Sequence, residues 1–495
     1  MTATPTEEVE KALLARVPTD LYIDGQWAPA TGGIRFDVLD PATGELLAKV
    51  ADASPEDAQR ALAAASAAQR EWGRTAPRRR SEILSRAFEL VMARIDDFAL
   101  LITLEMGKPL AESRGEVAYG AEFLRWFAEE APRIAGRYAS APDGRNRLLI
   151  TKRPVGPCLF ITPWNFPLAM ATRKIAPAIA AGCTAVLKPA DLTPLTALLL
   201  VEVMTEAGLP AGVLNVVPTT DPGAVTGPLF ANPRLRKLSF TGSTRIGRQL
   251  IAESAGQVLK VSMELGGNAP FLVFEDADLD AAVDGAILAK MRNGGEACVA
   301  ANRFLVAESV AAEFSGKLVE KMSAVTVGRG TEAGVTLGPL INEAARVKVT
   351  GLVDDAVTQG AELAYGGRPQ TGSGYFYEPT VLTGVPADAR ILQEEIFGPV
   401  APIVTFATEQ DAIDLANASP FGLVCFAYTR DLRRGLRLVE ELETGMLGIN
   451  TGVVSNPAAP FGGVKQSGLG REGGIEGIEE YLETVYVGIS DPFAG

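Results

Sequence analysis

The residues best suited to covalent chemistry are Cys298 and Glu264. Cys298 stands in the run NGGEACVAANR, among small residues that leave room for an adduct. A cysteine thiol with an ordinary pKa of about 8.5 is only slightly ionised at neutral pH, yet its thiolate is a strong nucleophile. Glu264 lies in the run MELGGN after an apolar segment, where a carboxylate can project into a crevice and act as a general base. The pair predicts nucleophilic catalysis by a thiol.

The chain of 495 residues contains no histidine. This excludes Ser-His-Asp triads, Cys-His pairs, H-E-x-x-H metalloproteases and His-ligated metals, and we predict no metal site. Catalysis is left to Cys, Glu, Asp, Lys, Tyr or a cofactor, and a glutamate acting directly or through water is the favoured base for Cys298. Cys158, Cys183 and Cys425 lie inside apolar runs and are predicted to be small buried hydrophobes. Without a C-x-x-C pair, the cysteines favour a reducing, cytoplasmic compartment.

Two further segments have the composition of a dinucleotide site. The run FTGSTRIG places Gly242 and Ser243 between a strand and a helix, where backbone N–H groups and a hydroxyl can hold a pyrophosphate. The run LKPAD places Lys188 and Asp191 at the end of another strand, within reach of an adenosine ribose. Each segment alone also fits a plainer structure, an ordinary turn for the first and a solvated ion pair for the second.

An α/β architecture is expected to position these residues. Between about residues 148 and 275, short apolar runs alternate with helix-length segments, which predicts repeated βαβ units around a parallel sheet. These runs span residues 158–162, 183–188, 213–217, 237–242 and 259–265. A second αβ region opens with a predicted helix over 278–293. Because Cys298 follows the carboxyl end of that helix, the helix dipole does not lower its pKa.

Two runs that alternate like strands, at 145–154 and 477–489, lie outside both αβ blocks. An exposed strand pair of this kind needs a partner chain to cover its edges, so we predict an oligomerisation arm and a homodimer or homotetramer. The predicted domains are a dinucleotide-binding domain at 1–130 and 152–265, a catalytic domain at 266–465, and the arm at 131–151 and 466–495.

The composition limits the partners. A formal net charge of −14 and a pI near 4.8 argue against nucleic acid or an anionic membrane as the main partner. The longest apolar run, 175–187, is too short to span a bilayer. The first residues lack the basic and apolar regions of a signal peptide. The remaining class is a globular enzyme of two or three domains that acts on a small molecule.

Taken together, the motifs resemble those of the NAD(P)-dependent aldehyde dehydrogenase superfamily. The resemblance implies an α/β fold with a Rossmann-like parallel-sheet cofactor domain, an αβ catalytic domain that carries the thiol, and a small β oligomerisation arm. It also implies NAD or NADP as the cofactor. The motifs follow the family's order over nearly the whole chain: TPWNFP, LKPAD, GLPAGVLNVV, FTGSTRIG, MELGGN, the Cys298 segment, EEIFGP and PFGGVKQSGLGREGG.

The resemblance also implies a role for each matched residue. Cys298 resembles the nucleophile and Glu264 the general base, while Asn165 and the backbone N–H of Cys298 would form the oxyanion hole. Lys188 and Asp191 match the adenosine-ribose positions, and Asp191 slightly favours NAD because a carboxylate repels a 2′-phosphate. The positions that resemble the cofactor site are Trp164, Lys188, Pro189, Ala190, Asp191, Gly242, Ser243, Leu265, Glu395 and Phe397.

Three residues, Arg173, Arg292 and Ser455, resemble the carboxylate-binding positions of succinate-semialdehyde dehydrogenases. They imply oxidation of succinate semialdehyde, or a similar ω-carboxylate aldehyde, through a thiohemiacetal and a thioester on Cys298. Without the resemblance, either arginine could be a structural ion-pair partner.

Several alternatives remain open. The substrate could be glutarate semialdehyde or another aldehyde, ester hydrolysis could be a side activity, and the chain could be a catalytically silent structural member of the family. Glu296 stands where the family commonly has Gln, and its carboxylate could raise the pKa of Cys298 or face away from it.

Overall fold

The structure, a computed structural model, describes residues 5–493, so the first four residues of the predicted cofactor domain and the last two of the predicted arm lie outside it. The strands are β1 (Leu21–Ile23), β2 (Gln26–Ala28), β3 (Arg35–Leu39), β4 (Leu46–Ala51), β5 (Arg137–Ser140), β6 (Asn146–Pro154), β7 (Cys158–Ile161), β8 (Ala185–Lys188), β9 (Leu214–Val216), β10 (Lys237–Thr241), β11 (Lys260–Glu264), β12 (Ala269–Val273), β13 (Ala301–Ala307), β14 (Glu362–Tyr365), β15 (Thr380–Thr383), β16 (Val400–Phe406), β17 (Phe421–Gly422), β18 (Val424–Tyr428), β19 (Met446–Ile449), β20 (Val464–Lys465), β21 (Gly468–Leu469) and β22 (Leu482–Ser490).

The helices begin and end as follows: α1 (Glu7–Leu14), α2 (Pro55–Trp72), α3 (Pro77–Ala93), α4 (Ile95–Met106), α5 (Leu110–Glu130), α6 (Pro167–Ala181), α7 (Leu195–Glu206), α8 (Pro222–Phe230), α9 (Thr244–Ser254), α10 (Leu279–Met291), α11 (Glu308–Ser323), α12 (Glu343–Thr358), α13 (Arg390–Gln393), α14 (Glu409–Asn417), α15 (Leu432–Glu441) and α16 (Glu476–Glu479).

The first large sheet contains all five strands predicted from the apolar runs. Its order is β2-β1-β9-β8-β7-β10-β11-β21, and the five central strands are parallel. Both faces are covered: along β7, Cys158 and Phe160 pack into one core, whereas Leu159 and Ile161 pack into the core on the opposite face. Burial on both faces explains why these strands appear in the sequence as continuous apolar runs.

The second large sheet, in the order β14-β15-β16-β13-β12-β18-β19, is parallel except for β14 at one edge. Helix α10 follows β12, begins at its cap Asp278 and ends at Met291, as the sequence predicts. The α/β fold class and the two αβ blocks are therefore confirmed.

The two predicted arm strands pair with each other. In a separate three-stranded sheet, β22 runs antiparallel to β6 over nine residue pairs, and β5 covers the other edge of β6. Two details differ from prediction. The start of the run 477–489 forms the short helix α16, so the predicted strand starts only at Leu482. Within the predicted arm, β21 pairs with β11 in the first large sheet. Across residues 5–493, no helix is both long enough and apolar enough to cross a membrane.

Candidate active site

A cavity of about 310 Å³ lies at the carboxyl ends of the central strands of the first sheet, facing the turn that carries Cys298. This is where open α/β sheets bind their ligands. Nine of the predicted site residues line it: Trp164, Asn165, Gly242, Ser243, Glu264, Leu265, Cys298, Glu395 and Phe397. The three predicted catalytic residues therefore share one space, although they are separated by up to 133 positions in the chain.

Cys298 lies in a turn after α10 and is partly exposed to the cavity. Its turn packs directly on Gly267, where a Cβ atom would come within 2.4 Å of the Cys298 carbonyl oxygen. Only glycine therefore fits at this position. Burial and the nearby carboxyl of Glu395 raise the pKa of Cys298 to about 12, against the weaker opposing effect of the Arg173 charge. At neutral pH the resting side chain is a thiol, and it must lose its proton before it attacks.

Asn165 is held by two hydrogen bonds to the segment that precedes Cys298. Its side-chain Nδ2 donates to the backbone oxygen of Glu296 at 3.0 Å, and its own backbone oxygen accepts from Asn293 Nδ2 at 3.0 Å. One amide hydrogen remains available to the cavity, because Nδ2 carries two. A fixed donor of this kind suits an oxyanion that develops on a substrate bound to Cys298.

Glu264 ends β11 and is 3% exposed. Its Oε2 atom has no hydrogen-bond partner among the residues that the structure describes. Burial, reinforced by the carboxylate of Glu472, raises its pKa well above the usual value. Glu472 is itself held by Lys174 at 2.5 Å and by Arg173 at 2.6 Å. Burial therefore favours the protonated form of Glu264, and the charges of Arg173, Lys174 and Arg471 oppose this effect.

The helix that faces the cavity is the one best able to hold a phosphate. The first turns of α6 and α7 are already occupied by the carboxyl groups of Glu116 and Glu105, each of which accepts two backbone N–H groups. The first turn of α9 is capped only by the hydroxyl of Ser243, and Gly242 and Ser243 line the cavity. An anion at this edge of the sheet is thus best placed at α9.

Lys188 and Asp191 lie outside the cavity lining, at the carboxyl end of β8 and just beyond it. Lys188 is 5% exposed and Asp191 is half-buried. Burial lowers the pKa of Lys188, and the Asp191 carboxylate opposes that shift. Pro189 and Ala190 link the two, and both are buried. This edge of the sheet is continuous with the strand ends that carry the cavity.

The opposite end of the cavity is formed by the segment of Glu395 and Phe397. The Glu395 Oε1 atom accepts from Gly267 N at 3.1 Å, and burial raises the pKa of this carboxyl to about 7. Phe397 has a φ of 57° and meets Trp164 edge to face, with ring centroids 5.6 Å apart. Trp164, Phe397 and the Glu395 carboxyl thus line the part of the cavity, close to Cys298, in which a flat ring and its attached sugar could bind.

The comparisons agree with this geometry. Residues 27–487 match the model of the aldehyde dehydrogenase family. The chain belongs to this family. A succinate-semialdehyde dehydrogenase of Paenarthrobacter nicotinovorans is 64% identical over 90% of this chain and 100% of its own length. A glutarate-semialdehyde dehydrogenase of Pseudomonas aeruginosa is 50% identical over 94% of this chain and 96% of its own length.

Among solved structures, a succinate-semialdehyde dehydrogenase from Burkholderia pseudomallei superposes with a TM-score of 0.95 at 51% identity. The match covers 97% of this chain and 98% of that one. The family resemblance and the fold it implies are therefore confirmed. The protein is an NAD(P)-dependent aldehyde dehydrogenase, an enzyme that oxidises an aldehyde to an acid.

In this aldehyde dehydrogenase, two of the three residues predicted to hold a substrate carboxylate line one cavity, and the third, Arg173, is not among its lining residues. Arg292 and Ser455 line a small cavity with Val299, the residue after Cys298. Arg173 is 2% exposed, pairs with Glu472 and lies 4.0 Å from the ring centroid of Phe461. Its charge acts on Cys298 and Glu264, and its Nη2 atom is buried without a hydrogen-bond partner among the described residues. The ion pair with Glu472 is thus present, and the substrate role of Arg173 stays a prediction.

Arg292 differs in its surroundings. Its guanidinium lies 5.1 Å from the ring centroid of Phe166 and 5.8 Å from that of Tyr119. Among residues 5–493, it forms no ion pair within 4.0 Å, although its charge acts on the nearby buried carboxyl of Glu112. The aromatic rings hold the group by cation–π attraction while its N–H donors stay free for a ligand.

Glu296 faces away from the nucleophile. Its Oε1 atom accepts from Ile341 N at 3.1 Å, and Oε2 is buried without a partner among the described residues. Burial raises its pKa well above the usual value, so the group is neutral. A neutral carboxyl has nearly the shape of glutamine, and this explains how a glutamate can occupy the position. Its role is to hold the segment of Ile341, which lines the cavity.

Sequence reasoning missed several cavity residues. Thr241 was within reach, since it directly precedes Gly242 in a recognised motif. The lining residues Met170, Ile341, Asn342, Ala345 and Lys348 carry no such signal. The Lys348 ammonium donates to the backbone oxygen of Glu395 at 2.6 Å and thereby links α12 to the far end of the cavity.

Proposed function

We propose that this aldehyde dehydrogenase oxidises succinate semialdehyde to succinate. The observation that carries the proposal is the unpaired guanidinium of Arg292, which lies with Ser455 in a cavity lined by the neighbour of Cys298. A guanidinium and a hydroxyl bind a carboxylate by charge-assisted hydrogen bonds of about 1.5–3 kcal/mol each. An aldehyde with a carboxylate at its other end would therefore be held at both ends. The names of the relatives support the same substrate class.

In the proposed reaction, the Cys298 thiol releases its proton through Glu264 to solvent, the sulfur adds to the aldehyde carbon, and the C=O oxygen becomes an oxyanion. Asn165 Nδ2 and the Cys298 backbone N–H stabilise that charge, each by roughly 3 kcal/mol if they act like other oxyanion donors. When bound, the dinucleotide accepts the hydride that leaves this carbon. Glu264, as a carboxylate, then takes a proton from the water that attacks the resulting thioester. The acid leaves, and the thiol is regenerated.

The proposed cofactor contacts follow the strand ends of the first sheet. Gly242 and Ser243 at α9 would hold the pyrophosphate, and Glu395 the nicotinamide ribose. Lys188 and Asp191 would hold the adenosine ribose. The Asp191 carboxylate accepts a hydrogen bond from a 2′-hydroxyl and repels a 2′-phosphate, which supports NAD over NADP.

The reaction is tested by the absorbance of the reduced cofactor. The purified enzyme is given succinate semialdehyde, glutarate semialdehyde or butanal, with NAD and NADP in parallel and the Cys298→Ala variant as the control. We expect the highest kcat/KM with succinate semialdehyde, a small value with butanal, and none with the variant. Equal values for butanal and succinate semialdehyde would reject the carboxylate site. A preference for glutarate semialdehyde would keep the site and change the substrate.

The exposed faces support assembly with a second copy of the chain. Tyr486 on β22 is 58% exposed, and Leu432 and Leu436 on one face of α15 are 77% and 61% exposed. Both apolar surfaces lie beside open edge strands, β22 in the arm and β19 in the second sheet. We therefore retain the arm as an oligomerisation element, whose test is the mass in solution by light scattering. The free state of all four cysteines supports a reducing, cytoplasmic compartment.

A further inference from the structure

A fully buried ion pair lies behind Asn165, outside the cavity. Lys108 follows the end of α4, and Glu116 is on α5. Their side chains are each 1% exposed, and Lys108 Nζ lies 2.5 Å from Glu116 Oε2. Neither residue belongs to a motif that marks the site in the sequence. A buried pair of this kind adds little net stability, since desolvation offsets most of the attraction, so its position is the informative feature.

Both members of the pair end on the segment that carries Asn165. Lys108 Nζ donates to the backbone oxygen of Asn165 at 2.8 Å. The other carboxylate oxygen of Glu116 accepts from Leu168 N at 2.9 Å and from Ala169 N at 3.3 Å, in the first turn of α6. The ammonium also lies 4.0 Å from the ring centroid of Phe166. The pair thus fixes the backbone on both sides of the short link between Asn165 and α6.

We propose that Lys108 is a positioning residue for the oxyanion hole: it fixes the Asn165 backbone so that the side-chain amide points at the reacting carbonyl. The inference rests on the proposed role of Asn165 in stabilising the oxyanion. Lys108 touches neither substrate nor cofactor and acts only through Asn165.

The hydrogen bonds around Asn165 show why its backbone matters. The amide Nδ2 has one fixed partner, the Glu296 oxygen, and Oδ1 has none among the described residues. The direction of the remaining N–H therefore depends on where the backbone places the side chain. The Asn165 carbonyl has two donors, Asn293 Nδ2 from the second αβ block and Lys108 Nζ from the first. Loss of Lys108 leaves the Asn165 carbonyl with the Asn293 donor alone, and a displacement of a fraction of an ångström weakens an oxyanion contact.

The test is a double-mutant cycle on kcat/KM for succinate semialdehyde with NAD. The variants are Lys108→Met, Asn165→Ala and the double variant, and methionine keeps the length and apolar stem of the lysine. We expect Lys108→Met alone to lose about 10- to 100-fold, which is less than the roughly 100- to 1000-fold of an oxyanion-hole deletion, because the donor is displaced and not removed. In the Asn165→Ala background the further loss from Lys108→Met should shrink to about twofold or less, because the group through which Lys108 acts is already gone.

Two controls separate positioning from general damage. Lys237→Met removes another fully buried lysine, which pairs with Ser262 and Glu480 at the far end of β10, and its effect should be the same with or without Asn165. The rate of Cys298 alkylation by iodoacetamide should be unchanged in Lys108→Met, because alkylation needs the thiolate but no oxyanion hole. If Lys108→Met does not fold, Lys108→Met with Glu116→Gln removes both charges and leaves neither unpaired.

The outcomes are distinct. An equal fold-loss from Lys108→Met in both backgrounds, or wild-type kcat/KM in Lys108→Met, overturns the inference. Wild-type kcat/KM in Asn165→Ala overturns the proposed oxyanion role itself, which is a separate failure. A large loss in Lys108→Met that disappears in the Asn165→Ala background, with unchanged alkylation, supports the inference.

Discussion

Replacement of Arg292 by methionine should separate carboxylate recognition from the rest of catalysis. The guanidinium has no ion-pair partner among residues 5–493 and rests on the rings of Phe166 and Tyr119. Methionine retains an apolar stem over these rings while it removes every donor. The change should therefore affect the substrate's charged end and leave the Cys298 end intact.

The size of the effect follows from the contacts. The variant loses the charge-assisted hydrogen bonds between the guanidinium and the substrate carboxylate. For one bidentate pair at a partly exposed site, these bonds are worth about 3 kcal/mol. This corresponds to a loss of roughly 150-fold in kcat/KM for succinate semialdehyde. Most of the loss should appear in KM, because the carboxylate is bound equally in the ground state and the transition state.

Butanal provides the matched control, since it has the same carbon chain and lacks the carboxylate. Its kcat/KM should stay within about threefold of wild type in Arg292→Met, when both aldehydes are followed by reduced-cofactor absorbance. An equal loss with both aldehydes would show that Arg292 supports the structure of the site. An unchanged KM for succinate semialdehyde would refute the carboxylate role altogether.

Three further predictions concern neighbouring groups. Burial and Glu472 raise the pKa of Glu264, and the base works as a carboxylate. The rate of thioester hydrolysis should therefore fall as the pH drops through a value above the ordinary pKa of 4.5. Glu472→Gln should move this fall in rate to lower pH. Glu296→Gln should keep kcat/KM within about twofold, whereas Glu296→Ala, which removes the acceptor for Ile341 N, should cost about 1–3 kcal/mol in thermal denaturation. Asp191→Ser removes the charge that repels a 2′-phosphate, so the ratio of kcat/KM for NADP to that for NAD should rise, and an unchanged ratio would show that Asp191 does not set the preference.

Much of the fold is predictable because burial leaves a direct trace in the sequence. The runs that form β7, β8, β9, β10 and β11 are rich in apolar residues, since both faces of the sheet are covered. The α16 helix was missed because four residues are too few to show a helical period over a background of strand-like alternation.

Residues of the site were predictable where they belong to motifs in which the backbone conformation requires a particular residue type. Gly267 is required by the close approach of Cys298, and Ser243 caps α9, so both leave a local signal. The partners of Arg173 could not be predicted in this way. Glu472 lies 299 positions further along the chain, and nothing near Arg173 indicates that it forms a buried ion pair.

Lys108 and Lys348 were not predicted either, because their partners also lie elsewhere in the chain. Each acts on a backbone carbonyl, of Asn165 and Glu395, and every residue supplies such an acceptor, so no residue type in the partner segment marks the contact. Arg292 was identified by resemblance, and its free guanidinium became visible only when the carboxylates around it could be located.

The proposed reaction requires Cys298 to carry the acyl group between hydride transfer and hydrolysis of the thioester. The most direct test is intact and peptide mass spectrometry of the Glu264→Gln variant after it is mixed with succinate semialdehyde and NAD. We predict one succinyl group per chain, located on Cys298, together with one equivalent of reduced cofactor, because the base that releases the acid is missing. Reduced cofactor formed without any adduct, or an adduct on Cys158, Cys183 or Cys425, would contradict the account.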